Sequence, residues 1–283
     1  YIYKSTQPSA PLIVSLHTWS GDYRQNDPIS LEVAQKDWNY IHPDFRGPNK
    51  RNEALVSPIV IQDIEDAIVW AVKEMNANPD EVHVVGVSGG GLATLAAFMQ
   101  VQYPVKSFSA WAPISDIEAW YWESRGRGQN YANHIMQAIG RDGVIDAGGA
   151  IRRSPLHQAY PGKLRKDVPL YIYEGCHDGY KGSVPVSHSL LMYNRIAAER
   201  KYGISDRNKI FRKAEKDNRL LSQDEVMDMV IKRLNPDADP SQTILGRQVY
   251  LHREMENVSI TVFEGGHEQL PGALELIPVN NKL

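Results

Sequence analysis

Residues 82 to 101 constrain the fold more than any other stretch. Val82 to Val87 is a short, apolar, β-branched run that passes straight into Ser88-Gly89-Gly90-Gly91, and Leu92 to Val101 beyond it is apolar nearly all round. A helix without a polar face has to be buried, so the segment reads as a central strand and the covered helix that follows it. Similar runs recur at Leu12 to Leu16, Trp38 to His42, Ser107 to Trp111, Leu170 to Tyr173 and Val258 to Phe263. Helical patterns lie between them. In the clearest, Ile61, Ile64, Ala67, Ile68, Ala71, Val72 and Met75 share one face of a helix that opens beside Ser57-Pro58. This alternation predicts an α/β fold, a mostly parallel sheet flanked by helices.

Two stretches interrupt the rhythm. Residues 115 to 160 are irregular and aromatic, and residues 203 to 257 are highly charged, with a helix start at Ser222 marked by Glu225 three residues on. Neither has the apolar content to build its own core. Both are expected as lid-like insertions over the sheet's C-terminal edge, within a single domain covering residues 1–283.

Composition narrows the function classes. With 31 Lys and Arg against 34 Asp and Glu, the net charge of −3 argues against a nucleic-acid binder that holds phosphates by bulk positive charge. The single cysteine, Cys176, excludes an internal disulfide framework and a Cys-rich zinc site. No metal-ligand cluster stands out, and no cofactor is called for. No run of eighteen apolar residues marks a membrane span. The chain starts at Tyr1 rather than Met, which suggests a processed or trimmed product and a secreted or periplasmic setting. Oligomeric state is left open.

The chemistry concentrates at Gly86-Val87-Ser88-Gly89-Gly90, a G-x-S-x-G between strand and helix. A serine on so sharp a turn needs small neighbours, and the helix that starts there points free N–H groups at it. A serine hydroxyl is a weak nucleophile, so it needs a histidine base and a carboxylate that orients the histidine. Asp178 follows the Leu170 strand and His267 follows the Val258 strand, in the chain order Ser, acid, His. Glu174 is the reserve acid, and the competing His177 is assigned to packing or pocket lining. An oxyanion hole needs the N–H of Gly89 and a second N–H from the loop after an early strand. Here that loop is Leu16-His17-Thr18-Trp19-Ser20-Gly21, with Thr18 favoured over Trp19 as donor.

These residues resemble the α/β-hydrolase superfamily, and more closely the prolyl oligopeptidase family's catalytic domain and related bacterial esterases. Pro43-Asp44-Phe45-Arg46-Gly47-Pro48-Asn49 is similar to the family's aromatic-Arg-Gly segment, and Asp63 and Asp66 follow on the next helix. Arg152-Arg153-Ser154-Pro155-Leu156 also fits the family pattern. The resemblance covers about residues 11 to 202 and 258 to 270. It implies an α/β-hydrolase fold and a cofactor-free serine hydrolase with Ser88, Asp178 and His267 in the catalytic roles. The sequence departs from the pattern at Thr18, where a His-Gly pair is usual, and in about fifty extra residues before the His267 strand. These 283 residues also include no counterpart of the N-terminal domain that restricts the family's peptidases to small substrates.

Substrate class is read from residues 115 to 131. Trp120, Trp122, Arg125 and Arg127 are candidates to overhang the serine, aromatic faces stacking on sugar rings and guanidinium groups holding carboxylates, the competing reading being an aromatic run that buries itself in the core with its charges solvated. Arg46, Arg51 and Lys181 are candidates for added positive potential. The first expectation is therefore a carboxylic-ester hydrolase that removes acetyl or methyl groups from plant polysaccharide, its partner a small-molecule or polysaccharide ester. The alternative is a serine exopeptidase or acyl-aminoacyl hydrolase, for which Glu118 and Glu123 would hold a peptide's N-terminus. A third reading is a sugar-binding protein on a hydrolase scaffold.

Overall fold

The computed structural model of the chain describes residues 1–279. In chain order the strands are β1 (Ile2–Tyr3), β2 (Leu12–Leu16), β3 (Asn39–Ile41), β4 (Val82–Val87), β5 (Ser107–Trp111), β6 (Gly140–Arg141), β7 (Val144–Ile145), β8 (Leu170–Gly175), β9 (Thr243–Ile244), β10 (Arg247–Met255) and β11 (Val258–Phe263). The α-helices are α1 (Ile29–Gln35), α2 (Pro58–Glu74), α3 (Gly89–Gln100), α4 (Ile117–Gly126), α5 (Tyr131–Ile139), α6 (Ala147–Arg153), α7 (Ser187–Tyr202), α8 (Arg207–Ala214) and α9 (Gln223–Ile231).

The main sheet runs β1-β3-β2-β4-β5-β8-β11-β10-β9. From β3 to β11 every pairing is parallel, while β1 at one edge and β10 and β9 at the other are antiparallel. β6 and β7 form a separate hairpin. Every residue of β2, β5 and β11 is buried, as strands covered on both faces require. Alternate side chains feed two cores. Leu12, Val14, Val84, Phe108, Ile172 and Ile260 pack on one face with α2, α3 and α7, while Ile13, Tyr40, Val85, Trp111, Tyr173 and Phe263 pack on the other with Ile29 and Val33 of α1.

Local signals explain the main helices. Ser57 caps α2 by accepting from the Val60 N–H, with Pro58 in the first turn, where its missing N–H costs nothing. In α3 every residue but Gln100 is buried, which is why it has no polar face. The capping box at Ser222 and Glu225 opens α9.

Both supposed insertions take a different form. Residues 115 to 160 are helical rather than irregular, and Ile117, Trp120, Tyr121, Ile135, Ala138 and Ala150 join the main core. In the charged stretch, Arg247–Met255 is not an insertion above the sheet but one of its strands, paired with β11 from Val249 to Met255 with a register shift between Val249 and Leu251. Only Val249, Leu251 and Met255 of it are buried. A strand close to the sheet edge keeps one face in water, so its sequence stays polar and its strand character is masked. Among the described residues no helix is long and apolar enough to cross a membrane.

Candidate active site

Ser88 stands between β4 and α3 at φ 61° and ψ −119°, a conformation side-chain-bearing residues rarely adopt. The turn is tight enough that a β-carbon on Gly86 would come 2.4 Å from the Gly90 carbonyl oxygen. Hydrogen bonding inside α3 begins only with the Leu92 N–H to the Ser88 carbonyl, at 2.9 Å. The N–H groups of the preceding glycines therefore point out of the helix end.

Parallel pairing brings the other two residues to the serine. β8 and β11 are neighbours, with Gly175 opposite Phe263, and the chains leaving them carry Asp178 and His267. The His267 Nε2 is 2.7 Å from the Ser88 Oγ, and its Nδ1 is 2.6 Å from the Asp178 Oδ2. The other Asp178 oxygen accepts from the N–H groups of Gly179 at 2.8 Å and Val184 at 3.0 Å. The Asp178 side chain is wholly buried. A carboxylate so held needs the imidazole proton on Nδ1, which leaves Nε2 to accept the serine proton.

Gly89 packs on the loop after β2. A β-carbon there would lie 2.3 Å from the Trp19 backbone nitrogen. The Thr18 N–H is already committed to the Gln25 Oε1 at 2.9 Å, whereas the Trp19 N–H makes no hydrogen bond among the described residues. This corrects the preference for Thr18, because a donor spent on a side chain is not free for an oxyanion. Gln25 carries no sequence signal for this part. The Trp19 ring packs edge-on against Trp120 at 4.6 Å.

Residues 30–214 match the model of the prolyl oligopeptidase family, Peptidase_S9. The chain belongs to the prolyl oligopeptidase family. It has the α/β-hydrolase fold. Ser88 and Asp178 fall inside the matched stretch, and His267 lies beyond it. Among solved structures, the chain is similar to the acylaminoacyl peptidase of Pyrococcus horikoshii (21% identity, TM-score 0.51, 67% of this chain and 31% of that one). It is also similar to prolyl oligopeptidase B of Galerina marginata (16%, 0.53, 82% and 36%) and to a puromycin-hydrolyzing peptidase of Mycobacterium tuberculosis (17%, 0.53, 80% and 35%). The chain thus spans about a third of the length of these neighbours. Identities this low speak to the fold alone. A search of curated proteins finds no match.

Family membership leaves the substrate contacts to the geometry, and there the expectations from α4 change. Trp120 is fully buried and donates through Nε1 to the Ser183 carbonyl at 2.9 Å, so it offers no face to a sugar. Arg127 spends its guanidinium on the carbonyls of Gly179 (3.1 Å), Gly182 (2.9 Å) and Ser183 (2.7 Å), all in the loop after Asp178. Arg125 donates to the Tyr121 hydroxyl and sits over the Trp122 ring, and Trp122 is exposed. The reason is helical: residues 120 and 122 lie about 200° apart around the axis, so one faces in and the other out. Glu123 bonds the buried His188 at 3.0 Å, so the Glu118 and Glu123 pair is not assembled as a free acidic clamp. Arg46 is paired with Asp63.

Glu174 is not a reserve acid. It is completely buried, its Oε2 accepts the Ser189 hydroxyl at 2.6 Å, and burial, aided by the Asp178 charge, drives its pKa well upward. Burial there favours the protonated form of the acid. His177 bonds Glu264 at 2.8 Å rather than the serine.

Proposed function

We propose that this chain hydrolyses small peptides or acyl-aminoacyl amides through an acyl-enzyme. Ser88 attacks the carbonyl carbon while His267 takes the hydroxyl proton, and Asp178 holds the imidazolium that results. The oxyanion is received by the N–H groups of Gly89, at the start of α3, and of Trp19, in the loop after β2. The tetrahedral intermediate collapses as His267 gives its proton to the leaving amine. Water then repeats the cycle, its proton going to His267 and its oxygen to the acyl carbon, and Ser88 is regenerated.

The observation that carries this reading is the continuous relay from Ser88 through His267 to the buried Asp178, at 2.7 and 2.6 Å. An amine rather than a sugar alcohol as leaving group is supported by family membership and by neighbours described as acylaminoacyl and puromycin-hydrolyzing peptidases. The carbohydrate-esterase expectation rested on an aromatic and cationic lid, and two of its four residues, Trp120 and Arg127, are committed inside the protein.

The test compares acetyl-alanyl p-nitroanilide, p-nitrophenyl acetate and acetylated or methyl-esterified pectin, using the native chain and Ser88→Ala. Anilide turnover that Ser88→Ala reduces by at least about 10³-fold is the expected result. Faster release of acetate or methanol from pectin than of nitroaniline would return the polysaccharide reading. Turnover equal in both proteins would remove Ser88 from the chemistry.

A further inference from the structure

Cys176, His177 and Glu264 meet beside the serine relay without belonging to it. Glu264 lies 88 residues from Cys176 and 87 from His177, which is why no metal-ligand spacing is visible there. The β8–β11 register brings them together, because the two chains leave the sheet side by side after Gly175 and Phe263. The Cys176 N–H donates to the Phe263 carbonyl at 2.9 Å and the His177 N–H to the Gly265 carbonyl at 3.0 Å, so both backbones are tied.

A sulfur of Cys176, a ring nitrogen of His177 and a carboxylate oxygen of Glu264 all lie within 4.8 Å of one another. Zinc bond lengths of about 2.0–2.3 Å at tetrahedral angles place neighbouring donors roughly 3.5 Å apart, so about 1 Å of side-chain adjustment suffices. One thiolate, one imidazole and one carboxylate suit a borderline-soft divalent ion, whereas magnesium and calcium take oxygen donors. The Tyr250 hydroxyl donates to the Glu264 Oε2 at 2.8 Å, the kind of outer contact that aims a ligating carboxylate. His177 and Glu264 are 27% and 40% exposed, so an ion and a bound water can reach them.

We propose that Cys176, His177 and Glu264 form a binding site for one zinc-class divalent ion, with water as the fourth ligand. On binding, the Cys176 thiol releases its proton to solvent as the metal–sulfur bond forms. His177 binds through Nε2 with its proton on Nδ1, giving up the hydrogen bond to Glu264. Asp178 directly follows His177 and His267 lies three residues beyond Glu264, so the ion would clasp the two loops that carry the acid and the base.

Cobalt(II) tests this on the full chain, because a thiolate–cobalt bond gives a near-ultraviolet charge-transfer band independent of hydrolysis. The band should saturate at one ion per chain, be displaced by zinc, persist in Ser88→Ala and vanish in Cys176→Ala. Because Cys176 is buried, the surface variants His177→Asn and Glu264→Gln provide a second measurement, each weakening zinc affinity by at least about tenfold. Absence of the band in the native chain, or unchanged zinc affinity in both surface variants, would overturn the proposal.

Discussion

Arg127 donates to the Ser183 carbonyl at 2.7 Å and thereby ties α4 to the loop that follows Asp178. Its Nη1 reaches the carbonyls of Gly179 and Gly182 and its Nε that of Glu123, so one planar guanidinium holds four backbone oxygens. Lysine offers no such fork. Arg127→Lys should lower stability by about 1–3 kcal/mol and lower kcat, since the loop fixes the Asp178 carboxylate. Thermal melting and steady-state kinetics check this, and kcat/KM within twofold of native would show the brace to be idle.

Gly89→Ala places a β-carbon against the Trp19 backbone nitrogen, where only 2.3 Å is available. The loop has to retreat, carrying the Trp19 N–H proposed as the second oxyanion donor with it. The expected loss is about 10²–10³ in kcat with a smaller change in KM, the pattern of an interaction made chiefly in the transition state. A mutant that loses only KM would place the oxyanion elsewhere.

Glu174 is buried, its pKa is driven well upward by burial and by the Asp178 charge, and it accepts the Ser189 hydroxyl. Glu174→Gln keeps the shape and the acceptor and carries no charge, so it should cost less than about 1 kcal/mol. Glu174→Leu leaves the Ser189 hydroxyl unpaired in the core and should cost about 1–3 kcal/mol. Urea unfolding of the two variants separates these outcomes. Equal losses would show that packing alone matters there.

His83 links stability to acid. It is buried between Glu81 and Ser107, and burial outweighs the Glu81 interaction and lowers its pKa to about 4. The unfolded chain holds this imidazole near pH 6.5, so between about 6.5 and 4 it binds a proton that the folded chain does not. Stability should therefore fall as pH drops through that window, by up to about 1.4 kcal/mol per pH unit from this group. His83→Gln should flatten the slope of urea stability from pH 7 to 4. His17 and His42, also lowered by burial, would retain part of it. An unchanged slope would mean that His83 is protonated in the folded chain.

Legibility in the sequence followed the range of the interactions involved. The central strands, α2, α3 and the α9 cap were readable because alternation, helical periodicity and caps act within a few residues. β10 was not, because Arg247, Arg253 and Glu254 give a strand near the sheet edge the look of a solvated loop. Trp120 stayed undecided between lid and core for a related reason. Composition showed aromatics near the serine, but only packing against Trp19 and Tyr131 decides that this ring faces the core.

The sequence by itself determined the strand–Ser88–helix turn and the order of serine, acid and histidine, since tight turns impose their residues locally and topology imposes chain order. The tertiary structure decided the rest. Whether Thr18 or Trp19 keeps a free N–H depends on where Gln25 falls, what Arg127 holds depends on the path of the Asp178 loop, and the meeting of Cys176, His177 and Glu264 depends on the register of β8 against β11. Each is a through-space relation between segments that share no local signal, and it exists only once the sheet has brought them to one edge.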